Sequence, residues 1–206
     1  MELTESQKRR RVLLEIKDLL TGAAFPFMVQ LLYSASLILF AGYTADAGIQ
    51  ITALLFGEGL LIGAYVIFGR QNGLTAYRKF AVNSKRRQLN ATDVSAYYKT
   101  GEYAVWKGIV IALISVVPYM LFQLIQCVAP SKWCGFVLKY AFGWAAYPFV
   151  LIGQIPSVGQ LSEWLNFIWI TVLLGVHAAA YVWGASGEKK RQEAFAETSE
   201  KGKKRK

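Results

Sequence analysis

The sequence predicts an all-α, polytopic integral membrane protein, a helical bundle of four full spans plus one re-entrant or interfacial helix. Three observations carry that expectation. Hydrophobic residues make up 54% of the chain and charged residues only 17%, against about 25% charged in a soluble domain. The apolar residues gather in runs long enough for a hydrocarbon core, which takes about 20 helical residues. Of the 23 Lys and Arg, 20 fall in three polar blocks, 1–18, 70–103 and 185–206, the alternation of basic flank and apolar run that orients membrane proteins. A disordered chain and a disulfide scaffold are excluded by this balance.

Residues 1–18 read as a basic amphipathic helix. Thr4 and Gln7 have capping-box spacing, Val12, Leu13, Ile16, Leu19 and Leu20 fall at helical spacing on one face, and Lys8, Arg9, Arg10, Arg11 and Lys17 give the helix a basic side. Such a helix suits the headgroup region. The first span covers 19–42, 24 residues without a charge. That run exceeds the apolar stretch of about 7–15 residues in a signal peptide, so it reads as a retained anchor. The short connection at 43–46 turns the chain into a second span, 47–69, as an antiparallel hairpin. Gly59 and Gly63 there form a GxxxG pair, a candidate for close helix packing.

Residues 70–103 read as a cytoplasmic loop containing Arg78, Lys79, Lys85, Arg86 and Arg87. Together with Arg9, Arg10 and Arg11, these are the expected contacts for anionic lipid headgroups. Tyr97, Tyr98, Tyr103 and Trp106 suit the water–bilayer boundary. The third span covers 104–129, with Lys107 near its start placed to snorkel and Pro118 predicting a kink. Residues 135–155 are apolar but interrupted by Gly143, Pro148 and Gly153. The last span covers 161–184, and the Lys-rich tail 185–206 is expected to be disordered.

The basic residues settle the preferred count. Five flank the first span, none lie in the 43–46 turn, seven in the 70–103 loop and eight in the tail. Both ends then lie in the cytoplasm, which requires an even number of crossings. Four spans satisfy this if 135–155 is re-entrant or interfacial on the outer side; five spans with the tail outside is the alternative. The expected location is a plasma membrane, with a prokaryotic origin suggested by small size and short turns. Cys127 and Cys134, on the outer side in this topology, are a candidate local disulfide.

Polar residues inside spans are costly and mark sites to explain. Glu58 lies about 16 Å from either end of its span at 1.5 Å per residue, and Gln30 reaches a similar depth in the first. Gln30, Ser34 and Glu58 are therefore an expected polar cluster, either a structural staple or a proton or cation site. His177 lies in the last span as a candidate relay partner of Glu58. The chain carries no HExxH, GxSxG, P-loop or dinucleotide turn. With one histidine and no CxxC, no metal site is expected, and no cofactor or nucleic-acid partner is implied. The leading functional expectation is a non-catalytic accessory, assembly or regulatory component that contacts the bilayer, anionic headgroups and a membrane-protein partner or further copies of itself. The alternative is a small oligomeric transporter or channel using Glu58 and His177.

Overall fold

A computed structural model describes residues 5–43, 47–89, 102–145 and 162–203. Five helices account for nearly all of them: α1 (Glu5–Tyr43), α2 (Ala47–Leu89), α3 (Lys107–Val128), α4 (Lys132–Ala141) and α5 (Ser162–Lys203). No strand occurs among the described residues. Apolar stretches in α2, α3 and α5 make these three helices long and apolar enough to cross a membrane. At most 39% of any of these stretches is buried within the protein. Phe25, Met28 and Leu32 on α1, Leu55, Phe56 and Leu60 on α2, and Leu121, Leu124 and Ile125 on α3 all point outward. That is far more exposed apolar surface than a water-soluble monomer carries.

Side-chain partners give the helix directions. On α1 and α2 they run oppositely: Asp18 meets Lys79, Gly22 meets Asn72, Phe25 meets Phe68 and Gln30 meets Tyr65. On α1 and α3 they rise together, Glu15 with Lys107 and Gln30 with Ser115. On α2 and α5 they also rise together, Gly69 with His177, Gly73 with Tyr181 and Arg78 with Glu188. The amino ends of α1 and α3 and the carboxyl ends of α2 and α5 therefore share one end of the bundle, which is rich in Lys and Arg.

The α2–α5 contact is backbone on backbone. A Cβ on Gly73 would lie 1.9 Å from the Tyr181 carbonyl oxygen, and one on Gly184 would lie 2.0 Å from the Arg70 oxygen. Gly69 and Gly73 on α2, with Ala180 and Gly184 on α5, supply small residues at four-residue spacing, and helices in lipid attract chiefly through such close packing. Among the described residues, by contrast, nothing lies within 4 Å of a Cβ built on Gly59 or Gly63.

Pro26 lies inside α1 and is fully buried. Proline cannot donate to the carbonyl four residues earlier, here Gly22. Asn72 Nδ2 donates to that carbonyl at 3.2 Å instead. A side chain from α2 thus satisfies the group that proline leaves open.

Several sequence expectations change. The amphipathic segment 1–18 is not a separate element, because α1 continues from Glu5 to Tyr43 without a break. The block 70–103 is not a loop over its first half: α2 runs on to Leu89, held by Arg78–Glu188 and by Asn83 donating to Glu102. The tail is helical as far as Lys203. Glu188 takes the Arg78 guanidinium on two oxygens, at 2.9 and 3.3 Å, and Gln192 and the Lys189–Glu193 pair support the following turn. Charge content suggests disorder only when no partner helix is available to pair it. Lys107 does not snorkel. It is buried, ion-paired with Glu15 and donating to the Glu102 carbonyl at 2.6 Å. Tyr103 is wedged against Tyr181, with ring centroids 5.5 Å apart and nearly parallel.

The segment 135–155 begins inside α4, whose ten residues (Lys132–Ala141) make about 15 Å of helix, half of a hydrocarbon core. Ser131 caps it by accepting from Cys134 N. The chain bends at Phe142, and residues 143–145 make one more helical turn. Residues 146–155 lie outside the described residues, as do 44–46 and the aromatic pair at 97 and 98.

Candidate functional site

Buried polar side chains recur at several levels through the interior of the bundle. Gln30, Ser34, Ser115 and His177 are all essentially inaccessible, and Glu58 is nearly so. Each is supplied by a different packing necessity. Gln30 and Ser34 sit one turn apart on the α1 face that meets α2 and α3. Ser115 turns its hydroxyl back to the Ala112 carbonyl at 2.7 Å, the usual way a helical serine satisfies its proton.

The expected Gln30–Ser34–Glu58 cluster divides into three. Gln30 Nε2 donates to the Tyr65 hydroxyl and, at 3.4 Å, to Ser115 Oγ. Tyr65 and Ser115 are bonded to each other at 3.0 Å. Ser34 Oγ accepts from the Trp144 backbone N–H at 3.1 Å, tying α1 to the turn after α4. Glu58 meets Tyr33 instead, whose hydroxyl lies 3.1 Å from Glu58 Oε1 and 3.2 Å from the Leu54 carbonyl. Tyr33 reaches that position by lying flat on Gly57, where a Cβ would come within 2.1 Å of its ring. The α1–α2 register therefore places Gln30 opposite Tyr65, about two turns further along α2 than Glu58.

His177 is held by Nδ1, 2.9 Å from the Gly108 carbonyl oxygen. A carbonyl only accepts, so Nδ1 carries the proton and Nε2 of the neutral ring is an acceptor. The Tyr65 ring stands edge-on to His177 at 5.9 Å. His177 is thus a neighbour of the Gln30 network. Tyr65 follows Glu58 by seven residues, about 10 Å of helix, so Glu58 and His177 do not pair directly. Among the described residues, Gln30 Oε1, Glu58 Oε2, His177 Nε2 and Trp144 Nε1 are buried without a hydrogen-bond partner of normal geometry, and Trp169 of α5 faces Glu58.

The sequence reading overlooked Tyr33, Tyr65 and Ser115, which complete these networks. Tyrosine was assigned to the bilayer boundary, and serine is too common in membrane helices to stand out. One signal was present: Gln30 needs hydrogen-bond partners at its own depth, and a Tyr or Ser hydroxyl in a neighbouring span can supply them.

The remaining expected residues lie elsewhere. Arg9, Arg10 and Arg11 are exposed on α1, and Lys85 and Arg86 on α2. Arg78 is engaged with Glu188 and Lys79 with Asp18; the Arg87 side chain lies outside the described residues. Cys127 and Cys134 are not bonded to each other. Both are free thiols, Cys127 exposed and Cys134 buried with Sγ donating to the Phe122 carbonyl. Among the described residues no group of three His, Cys, Asp or Glu could hold a metal ion.

No family model, no curated protein and no solved structure matches this chain.

Proposed function

We propose that the chain is a multi-pass plasma-membrane protein of four spans, with both ends cytoplasmic, acting as a non-catalytic accessory, assembly or regulatory component. The observation that carries this reading is the shared basic end. There the apolar parts of α2 and α5 run on as polar helices, parallel and joined by Arg78–Glu188, bearing Lys85 and Arg86 on one and Lys189, Lys190 and Arg191 on the other. Such a paired basic stalk suits an acidic protein partner or anionic headgroups. A prokaryotic cytoplasmic membrane is the setting we favour.

Support for four spans comes from α2 and α5 pointing the same way, which leaves an even number of crossings between the two ends. The bend at Phe142 brings Trp144 beside Ser34 and Tyr119, a depth suited to a re-entrant element covered by protein. The non-catalytic reading draws on how the buried polar side chains are used: Gln30, Ser34, Tyr65, Ser115 and His177 join helices to one another, as interhelical hydrogen bonds commonly do.

A second reading, an oligomeric transporter or channel with a proton or cation site at Glu58 and His177, has one observation in its favour: among the described residues, Glu58 Oε2 and His177 Nε2 have no hydrogen-bond partner of normal geometry. Glu58→Gln separates the two, since it keeps the group that meets Tyr33. An accessory protein carrying it retains its partner and level. A proton-coupled carrier loses flux in proteoliposomes.

Gentle solubilisation of a tagged chain followed by native mass measurement tests the leading reading. A stoichiometric foreign protein is expected. A pure homo-oligomer with flux overturns it. A carboxyl-terminal fluorescent fusion is expected to glow, and active alkaline phosphatase at that junction would overturn the four-span topology.

A further inference from the structure

A cleft of about 480 Å³ opens between α1 and α2 at the basic end, with Ile111 of α3 on its floor. Its size is that of an ordinary ligand site. Its inner end is closed by the stacked rings of Phe25 and Phe68, 5.4 Å apart and 14° from parallel. Phe25 is exposed on its outer side, so the cleft opens sideways towards the surroundings of α1. Its outer end carries Asp18 and Lys79. Leu19, the first residue of the uncharged run, lies between these two ends. With the apolar stretches in a bilayer, the cleft straddles the boundary between headgroups and acyl chains.

Its two ion pairs differ in kind. Glu15–Lys107 is largely buried, and Lys107 also donates to the Glu102 carbonyl. That pair is part of the frame. Asp18 and Lys79 are 3.4 Å apart, with side chains 33% and 44% exposed. A partly exposed pair of that kind is weak. It offers one carboxylate and one ammonium side by side above an apolar slot.

The geometry points to a zwitterionic glycerophospholipid with a primary ammonium headgroup as the occupant of this cleft. Its phosphate accepts from Lys79 Nζ, its ammonium donates to the Asp18 carboxylate, and an acyl chain passes the Phe25–Phe68 stack. An anionic headgroup would satisfy Lys79 but set a second negative charge against Asp18. A choline headgroup has no N–H to donate. The inference needs only the membrane placement of the bundle, and it stands or falls independently of the accessory or transport reading.

The test uses the full chain in detergent, titrated separately with phosphatidylethanolamine, phosphatidylglycerol, phosphatidylcholine and inorganic phosphate, with melting temperature as readout. Phosphatidylethanolamine is expected to raise it most and phosphate alone not to. Asp18→Asn, a change at a partly exposed pair whose melting temperature without lipid is measured alongside, is expected to weaken phosphatidylethanolamine about five- to tenfold, the loss of one charge-assisted hydrogen bond in a partly wet site, and to remove its advantage over phosphatidylglycerol. Equal or better stabilisation of the unaltered chain by phosphatidylglycerol overturns the inference. So does an equal effect of inorganic phosphate, or an Asp18→Asn chain that keeps its preference. A photoreactive phosphatidylethanolamine gives an independent readout: adducts on 15–25 and 68–79 are expected, and adducts confined elsewhere refute the site.

Discussion

Gly73→Ala probes the contact on which the bundle depends most. The added Cβ would stand 1.9 Å from the Tyr181 carbonyl oxygen, 2.7 Å from its carbon and 3.0 Å from its Cα. A relaxed carbon–oxygen contact is about 3.4 Å, so α2 and α5 must part by about 1.5 Å. Nothing at the end of a flexible side chain can yield, because every atom struck is backbone. Overpacking in a tight core costs about 1–3 kcal/mol, and a backbone clash belongs at the upper end. Alanine's better helix propensity offsets about 1 kcal/mol, leaving a net loss of about 2 kcal/mol. For a chain of this size that lowers the melting temperature by about 4–8 °C. Gly59→Ala is the control, since no described residue lies within 4 Å of its added Cβ: it keeps the propensity gain without the clash and should melt no lower than the unaltered protein. Thermal unfolding of both variants, followed by size exclusion of the detergent-solubilised chain, is the assay. Equal melting temperatures for Gly73→Ala and Gly59→Ala would refute the close α2–α5 approach.

Other consequences follow from the same contacts. Tyr65→Phe removes the hydroxyl shared by Gln30 and Ser115; at about 0.6 kcal/mol for a typical interhelical bond and 1.7 at most, it should cost about 1–2 kcal/mol in thermal unfolding, while a value near zero would show the network is not formed. Asn72→Leu leaves the Gly22 carbonyl open and should cost about 0.6–1.7 kcal/mol. In a Pro26→Ala background the helix supplies its own donor and most of that cost should vanish, so an unchanged cost would count against the repair. Arg78→Glu should loosen the helical tail, seen as about two- to fivefold faster hydrogen exchange over 186–192, and Arg78→Glu with Glu188→Arg should restore it. Exchange that ignores both changes would mean that the tail helix does not depend on the pair.

The legible part of this protein lay in patterns that need no partner. Apolar runs of bilayer length announced the membrane-capable stretches of α2, α3 and α5; the breaks at Pro148 and Gly153 lie outside the described residues. Gln30, Ser34, Glu58 and His177 stood out because polar groups in apolar runs must be satisfied by something. What satisfies them was not legible. Depth arithmetic from span ends set Gln30 beside Glu58. The α1–α2 register is decided instead by Tyr33 lying on Gly57 and Phe25 stacking on Phe68, which moves Gln30 two turns along α2 to Tyr65.

The polar segments show the same division. Residues 70–89 and the tail have no apolar periodicity to announce a helix, and charge alone argues for solvent. They are helical because each finds the other: Arg78 bonds Glu188, and the parallel course of α2 and α5 brings them together. The Gly59–Gly63 motif is conspicuous in the sequence yet meets none of the described residues, while Gly69, Gly73 and Gly184, hidden among charged and aromatic neighbours, bring two backbones into close approach. The sequence by itself determines which segments are helical and apolar, because that follows from local chemistry repeated along the chain. Only the tertiary structure decides which faces meet, because register depends on the shapes of side chains distant in sequence fitting against one another.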